Sequence, residues 1–176
     1  MKRFLVLALA LFCFSFFFFA SPAMSYDTLK IGAPQPMTGS DAPFGAKFKK
    51  AYDLAVEEIN QAGGINGKKI EVVIEDHQAK NPLAATVTEK LINQYKVLVL
   101  TGGRASGQAV EIASVAHRLK TPYVVDHPSA DIITAKGFEW VFRNNPTGTI
   151  YPQAFNKFIS ETPGALPKSA AVVYDN

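Results

Sequence analysis

From Leu29 to Arg143 the chain alternates short apolar runs with segments whose apolar residues recur at helical spacing. That alternation leaves few folds open, because apolar runs of four to eight suit strands and a three-to-four recurrence suits one face of a helix. Leu29 to Ala33 reads as a first strand, followed by a Pro/Gly-rich loop from Pro34 to Pro43. Phe48, Tyr52, Ala55, Val56 and Ile59 then mark the inward face of a helix from about Phe44 to Ala62. Gly63-Gly64 stops it, as a left-handed C-cap does. Asn66-Gly67 turns the chain into a second strand, Lys69 to Glu75. Asn81-Pro82 reads as an N-cap with proline at the first helical position. That helix runs to about Gln94, with Ala84, Val87, Leu91 and Ile92 inward. Val97 to Leu100 is a four-residue apolar strand of the kind buried on both faces. Beyond Thr101-Gly102-Gly103-Arg104-Ala105-Ser106 comes a helix with Ala109, Ile112, Ala113, Ala116 and Leu119 on one face. Tyr123 to Val125 is the fourth strand, Ser129 to Ala135 a short helix, and Trp140 to Arg143 the fifth strand. The pattern predicts a parallel α/β sheet with helices on both faces and right-handed crossovers.

Residues 1–25 have a different chemistry. Lys2 and Arg3 precede an apolar run from Phe4 to Ala20, which holds seven of the 13 phenylalanines. Ala20-Ser21-Pro22-Ala23-Met24-Ser25 ends it in small residues, so the segment reads as a Sec-type signal peptide cut before Tyr26, or just after Ala23. Its apolar run is shorter than the roughly 20 residues a membrane-spanning helix needs. The one cysteine, Cys13, lies inside that run with Phe12 before it, so no lipid-attachment signal is present and the exported part carries no covalent lipid anchor. The exported part has no disulfide to rely on, and its stability must come from a packed core. Without Lys2 and Arg3 the 18 basic residues become 16 against 15 acidic ones, a net charge of +1. No basic stripe marks a nucleic-acid partner.

After Arg143 the pattern changes. Asn144-Asn145-Pro146 interrupts it, a helix is expected from about Gly148 to Ser160, and Ser169 to Tyr174 reads as another strand. A parallel strand with no helix after it is an incomplete βα unit, so residues 146–176 read as the beginning of something longer.

In an open parallel sheet, ligands bind beyond the carboxyl ends of the strands. The loops there span 34–45, 76–81, 101–107 and 126–130. Ser106 falls at or near a helix N-terminus, where it either caps the helix or joins its free N–H groups in binding an anion. Ser129 faces the same choice: N-cap of the short helix, or ligand hydroxyl. Phe44 is either a packing residue at the start of the first long helix or an aromatic wall. Arg104, if it points into the cleft, offers a fork that fits a carboxylate. His77, His117 and His127 lack metal-ligand spacing. No G-x-S-x-G elbow, P-loop or dinucleotide fingerprint occurs. Glu57-Glu58 and Glu75-Asp76 read as solvated faces. No cofactor is expected.

Three segments carry a family likeness. Ile31-Gly32-Ala33-Pro34-Gln35-Pro36-Met37-Thr38-Gly39 with Phe44-Gly45 resembles the opening of leucine/isoleucine/valine-binding proteins. Ala55-Val56-Glu57-Glu58-Ile59-Asn60-Gln61-Ala62-Gly63-Gly64-Ile65-Asn66-Gly67 resembles their helix-one signature, and Val141-Phe142-Arg143 the end of their first lobe. The resemblance implies a type I periplasmic-binding fold, in which two α/β lobes with flavodoxin-like parallel sheets close on a ligand. Residues 26–145 would be lobe one, and 146–176 the crossover and start of an incomplete lobe two. It further implies that Arg104, Ala105, Ser106 and Gly107 form the carboxylate-binding loop. Ser129, with the carbonyl of His127 or Pro128, would hold the α-ammonium, and Phe44 would pack on the ligand. Arg104 and His127 depart from the small or apolar residues usual there, which leaves the ligand open between branched-chain or related amino acids and other small carboxylates. The implied role is the periplasmic solute-binding component of an ABC importer, docking on an inner-membrane permease and performing no catalysis. The alternative is an extracytoplasmic ligand-sensing receptor domain of the same fold.

Overall fold

The computed structural model describes residues 28–162 together with 164, 169 and 171. The leader over 1–25 lies outside the described residues, as does most of the expected strand over 169–174. Among the described residues ten elements follow one another: β1 (Leu29–Gln35), α1 (Ala42–Gln61), β2 (Ile70–Asp76), α2 (Asn81–Asn93), β3 (Val99–Leu100), α3 (Ser106–Arg118), β4 (Tyr123–Val125), α4 (Ile132–Ala135), β5 (Val141–Arg143) and α5 (Ile150–Glu161). The five strands form one sheet in the order β2-β1-β3-β4-β5, and every pairing is parallel. This is the flavodoxin-like order, with its switch point where the chain, after β1 and β2, crosses back to place β3 on the other side of β1.

Right-handed crossovers place α1 on one face and α2, α3 and α4 on the other. The second face holds the main core, where Leu91, Leu100, Ile112, Tyr123, Val125 and Ile133 are almost wholly buried. On the first face α1 turns Phe48, Tyr52, Val56 and Asn60 toward the sheet. Ala55 and Ile59, expected to point inward, are exposed instead. The reason is Asn60, which takes the inward place at the helix end. Its side-chain amide accepts from the Ile70 N–H and donates to the Ile70 carbonyl, at 2.8 and 2.9 Å. The helix then ends in a Schellman arrangement: Gly64 N–H donates to Ile59 O and Gly63 N–H to Asn60 O. Both glycines have positive φ, so the double glycine is the stop signal the sequence suggests.

Several expected boundaries move, and at two of them the cause is visible. Asn81 is the first residue of α2 and Lys80 its N-cap, with no side-chain cap bond. The Asn81 carboxamide is engaged elsewhere, accepting from Gln108 Nε2 at 3.1 Å. The third strand is shorter than Val97–Leu100 and is not buried on both faces, since Leu98 is 57% exposed. Its hydrogen bonds to β1 explain this. Leu98 N–H donates to Lys30 O, Thr101 to Gly32 O and Gly103 to Pro34 O. The first two acceptors are two positions apart and their donors three, so one extra residue sits on the β3 side as a bulge. Beyond α1, the same face also leaves Phe142 53% exposed.

The core around α2 predicts a specific loss. Leu91 is fully buried, and Leu91→Ala is expected to destabilise the fold by about 2–5 kcal/mol, read as a lowered urea-unfolding midpoint.

Candidate ligand-binding site

Because all strands are parallel, their carboxyl ends share one edge, and the loops after β1, β2, β3 and β4 gather there. The loop after β3 is the most constrained. Gly102 and Gly103 have φ of +99° and +83°. A Cβ on Gly103 would lie 2.9 Å from Ile112 Cδ1 and 3.1 Å from the Tyr123 hydroxyl. The Tyr123 ring is fully buried, and its hydroxyl donates to Gly102 O at 2.8 Å. This turn aims the next residues, Arg104 to Gly107, across the edge of the sheet.

Ser106 is not the cap of α3. Ala105 occupies that position, and its N–H donates to the side chain of Gln108 at 2.8 Å. Ser106 is the first helical residue, and its Oγ accepts from Ala130 N–H at 3.4 Å. The amides of Ser106 and Gly107 lie in the first turn, where N–H groups have no intrahelical acceptor. Gly107 abuts Asn81, whose amide nitrogen a Cβ would approach to 2.6 Å. Nor does Ser129 cap the short helix, which begins only at Ile132 with Asp131 before it. The Ser129 carbonyl instead accepts from Gly148 N–H at 2.6 Å.

Six of the expected residues line one cavity of about 240 Å3: Arg104, Ala105, Ser106, His127, Pro128 and Ser129. Gly107 stands behind Ser106 in the helix, and Phe44 reaches the rim through Arg104, whose guanidinium lies 4.0 Å from the Phe44 ring centroid. Phe44 is 39% exposed, so it is not a core residue. The His127 ring meets Phe48 edge-on at 5.6 Å.

Several residues that shape this edge were not singled out from the sequence. Arg143 and Asn145 hold the 127–130 loop from behind. Arg143 donates to Pro128 O at 2.5 Å and Ala130 O at 2.8 Å, while Asn145 Nδ2 lies 3.0 Å from His127 O and 3.2 Å from Pro128 O. Under the cleft, Asp126 Oδ2 accepts from the Tyr52 and Thr101 hydroxyls, each at 3.1 Å, and Gln35 donates to the Tyr52 hydroxyl at 2.8 Å. Burial, and then the neighbouring Asp126 charge, push the Tyr52 phenol well up, so it stays a donor at neutral pH. Asp76 is not merely a solvated strand end. It accepts from the Met37, Thr38 and Gln78 amides and the Thr38 hydroxyl, fixing the loop after β1. Burial pushes its carboxyl up, but these hydrogen bonds, Thr38's first, outweigh that and hold it below the ordinary value. A carboxylate at a strand end facing a Thr-Gly loop was the available signal.

Similarity to known proteins follows the same lines. The periplasmic binding protein family model matches residues 28–176. The chain belongs to that family. It is 30% identical over 157 residues to the leucine-, isoleucine-, valine-, threonine- and alanine-binding protein of Pseudomonas aeruginosa, covering 89% of this chain and 41% of that one. The branched-chain amino acid transporter substrate-binding protein of Streptococcus pneumoniae, solved with isoleucine, superposes with a TM-score of 0.64 at 37% identity. That match covers 68% of this chain and 34% of the other. A solute-binding protein of an ABC transporter from Rhodopseudomonas palustris, solved with 3,4-dihydroxybenzoic acid, gives 0.62 at 30% identity, covering 69% and 32%. The chain thus spans less than half the length of these relatives.

His77, in the loop after β2, predicts a pH dependence. Its ring is fully buried, and neither nitrogen has a hydrogen-bond partner among the described residues. Burial lowers its pKa below the ordinary 6.5, against the opposing pull of the Asp76 and Asp41 charges. The unfolded chain therefore binds the proton more readily, so stability falls as pH drops below about 6.5 toward the lowered folded value. Urea midpoints between pH 7.5 and 5 should fall for the wild type and less for His77→Leu; equal slopes would refute the assignment.

Proposed function

We propose that the chain is the extracytoplasmic solute-binding component of an ABC importer, taking branched-chain or related amino acids or small carboxylates. The observation that supports this most directly is the cavity itself. A helix N-terminus, two serines and an arginine converge on it, at the edge where parallel sheets bind ligands. The names of the relatives point the same way. In this reading the protein binds and hands over its solute without a chemical step. It is exported by its leader, cut near Ser25-Tyr26, carries no lipid anchor and docks on an inner-membrane permease.

Residues 26–145 form the ligand-binding lobe in this proposal, and 146–176 the crossover and the start of a second lobe. The character of α5 supports that division. None of its residues is buried, and Tyr151, Phe155 and Phe158 are 55%, 61% and 62% exposed. Its apolar side chains do not belong to the core of the five-stranded sheet.

Ser106 is assigned to the carboxylate of the solute. Hydrogen bonds to charged groups contribute about 1.5–3 kcal/mol each, so one lobe alone holds a solute weakly. Nuclear magnetic resonance titration of the protein with leucine, glutamate and benzoate at millimolar concentrations is expected to shift the amides of 103–107, His127, Ser129 and Ala130. Ser106→Ala should weaken the binding solute by about tenfold. Shifts confined to other surfaces would refute the site.

A further inference from the structure

Resting on that reading of the cavity, we infer that the solute is a small carboxylate without an ammonium group, and that Arg104 selects it. Among the six lining residues, Arg104 is cationic, His127 is titratable, Ser106 and Ser129 carry hydroxyls, and none is acidic. Arg104 lies on the Phe44 ring, which orients a guanidinium without neutralising it. Its Nε is buried without a hydrogen-bond partner, and it makes no ion pair among the described residues. The terminal N–H groups are left to meet the two oxygens of an incoming carboxylate.

The opposite wall is unsuited to a cation. A zwitterionic amino acid would need backbone carbonyls there for its ammonium, and each carbonyl of 127–130 already accepts at least one hydrogen bond. Pro128 O faces both Arg143 Nη1 and Asn145 Nδ2, which occupies its two acceptor sites. His127 O faces Asn145, and Ala130 O faces Arg143 Nη2. An ammonium would compete with a guanidinium for these oxygens and meet its like charge at close range. The flanking acids do not line this cavity. Asp126 lies beneath it, with Oδ2 accepting from the Tyr52 and Thr101 hydroxyls and Oδ1 buried, and Asp131 accepts from the Thr149 hydroxyl at 2.5 Å.

The test is a matched pair. Isocaproate is leucine without its ammonium group, and benzoate serves as an aromatic carboxylate. Titrated against the protein by amide nitrogen–proton correlation spectra, isocaproate and benzoate are expected to shift residues 103–107, His127, Ser129 and Ala130. Their dissociation constants should be about tenfold or more below that of leucine. Arg104→Gln, with its spectrum otherwise that of a folded chain, should lower isocaproate binding to the level of leucine. Arg104→Lys, keeping the charge but not the fork, should fall between. Leucine binding as tightly as isocaproate would overturn the inference while leaving the site intact. A preference unchanged in Arg104→Gln would overturn the assignment to Arg104. If no probe moves either loop, the ligand-site reading itself fails, and the inference with it.

Discussion

Parallel pairing is the constraint on which the rest of this structure depends. It forces a long connection between every pair of neighbouring strands, which supplies the helices, and it brings every strand's carboxyl end to a single edge. From Gln35, Thr101 and Asp126, each at or just past a strand end, polar side chains converge with Tyr52 of α1. Residues separated by 74 positions in the chain, Tyr52 and Asp126, share a hydrogen bond there. The site is a product of the sheet's direction before it is a product of any one motif.

Two layers can be distinguished at that edge. The outer one is made of donors and cations: the first turn of α3, the serine hydroxyls and the guanidinium of Arg104. The inner one fixes the outer. Tyr123 locks the glycine turn from below, Asp76 ties down the loop after β1, and Arg143 with Asn145 spans the back of the 127–130 loop. The inner contacts are directed almost wholly at backbone atoms, so they set where loops run rather than what they bind. An outer side chain such as Arg104 therefore sits on a loop whose course is set by other residues.

The fold was legible in the sequence because its signals are local and repeated. Ile70, Val72 and Ile74 alternate, Leu91 and Ile112 sit at helical spacing, and Gly63-Gly64 punctuates. What failed were places where a side chain serves a distant backbone. Asn60 displaced Ile59 from the inward face because it pairs with Ile70, and Asn81 left the cap role to answer Gln108. The residues lining the cavity were legible through the resemblance and the strand-end rule together. Arg143, Asn145 and Tyr52 were not, since these partners lie between 13 and 74 positions away and no spacing announces them. Ser106 and Ser129 show the reverse case. The sequence left each of them a choice between cap and ligand, and the N-cap positions are taken by Ala105 and Asp131 instead.

The bulge at Leu98 has a further meaning for the cleft. A strand advances about 3.3 Å per residue and alternates sides, so an inserted residue resets the phase of everything after it. Thr101, Gly102 and Gly103 come into line with Gly32 and Pro34 of β1 only because the chain spends one residue out of step. Had the strand run regularly, Arg104 would emerge one position late and on the opposite side of the sheet, away from Phe44. The orientation of the charge at the mouth of the cavity is thus set by a phase slip some six residues upstream, at an exposed leucine that does not line the cavity.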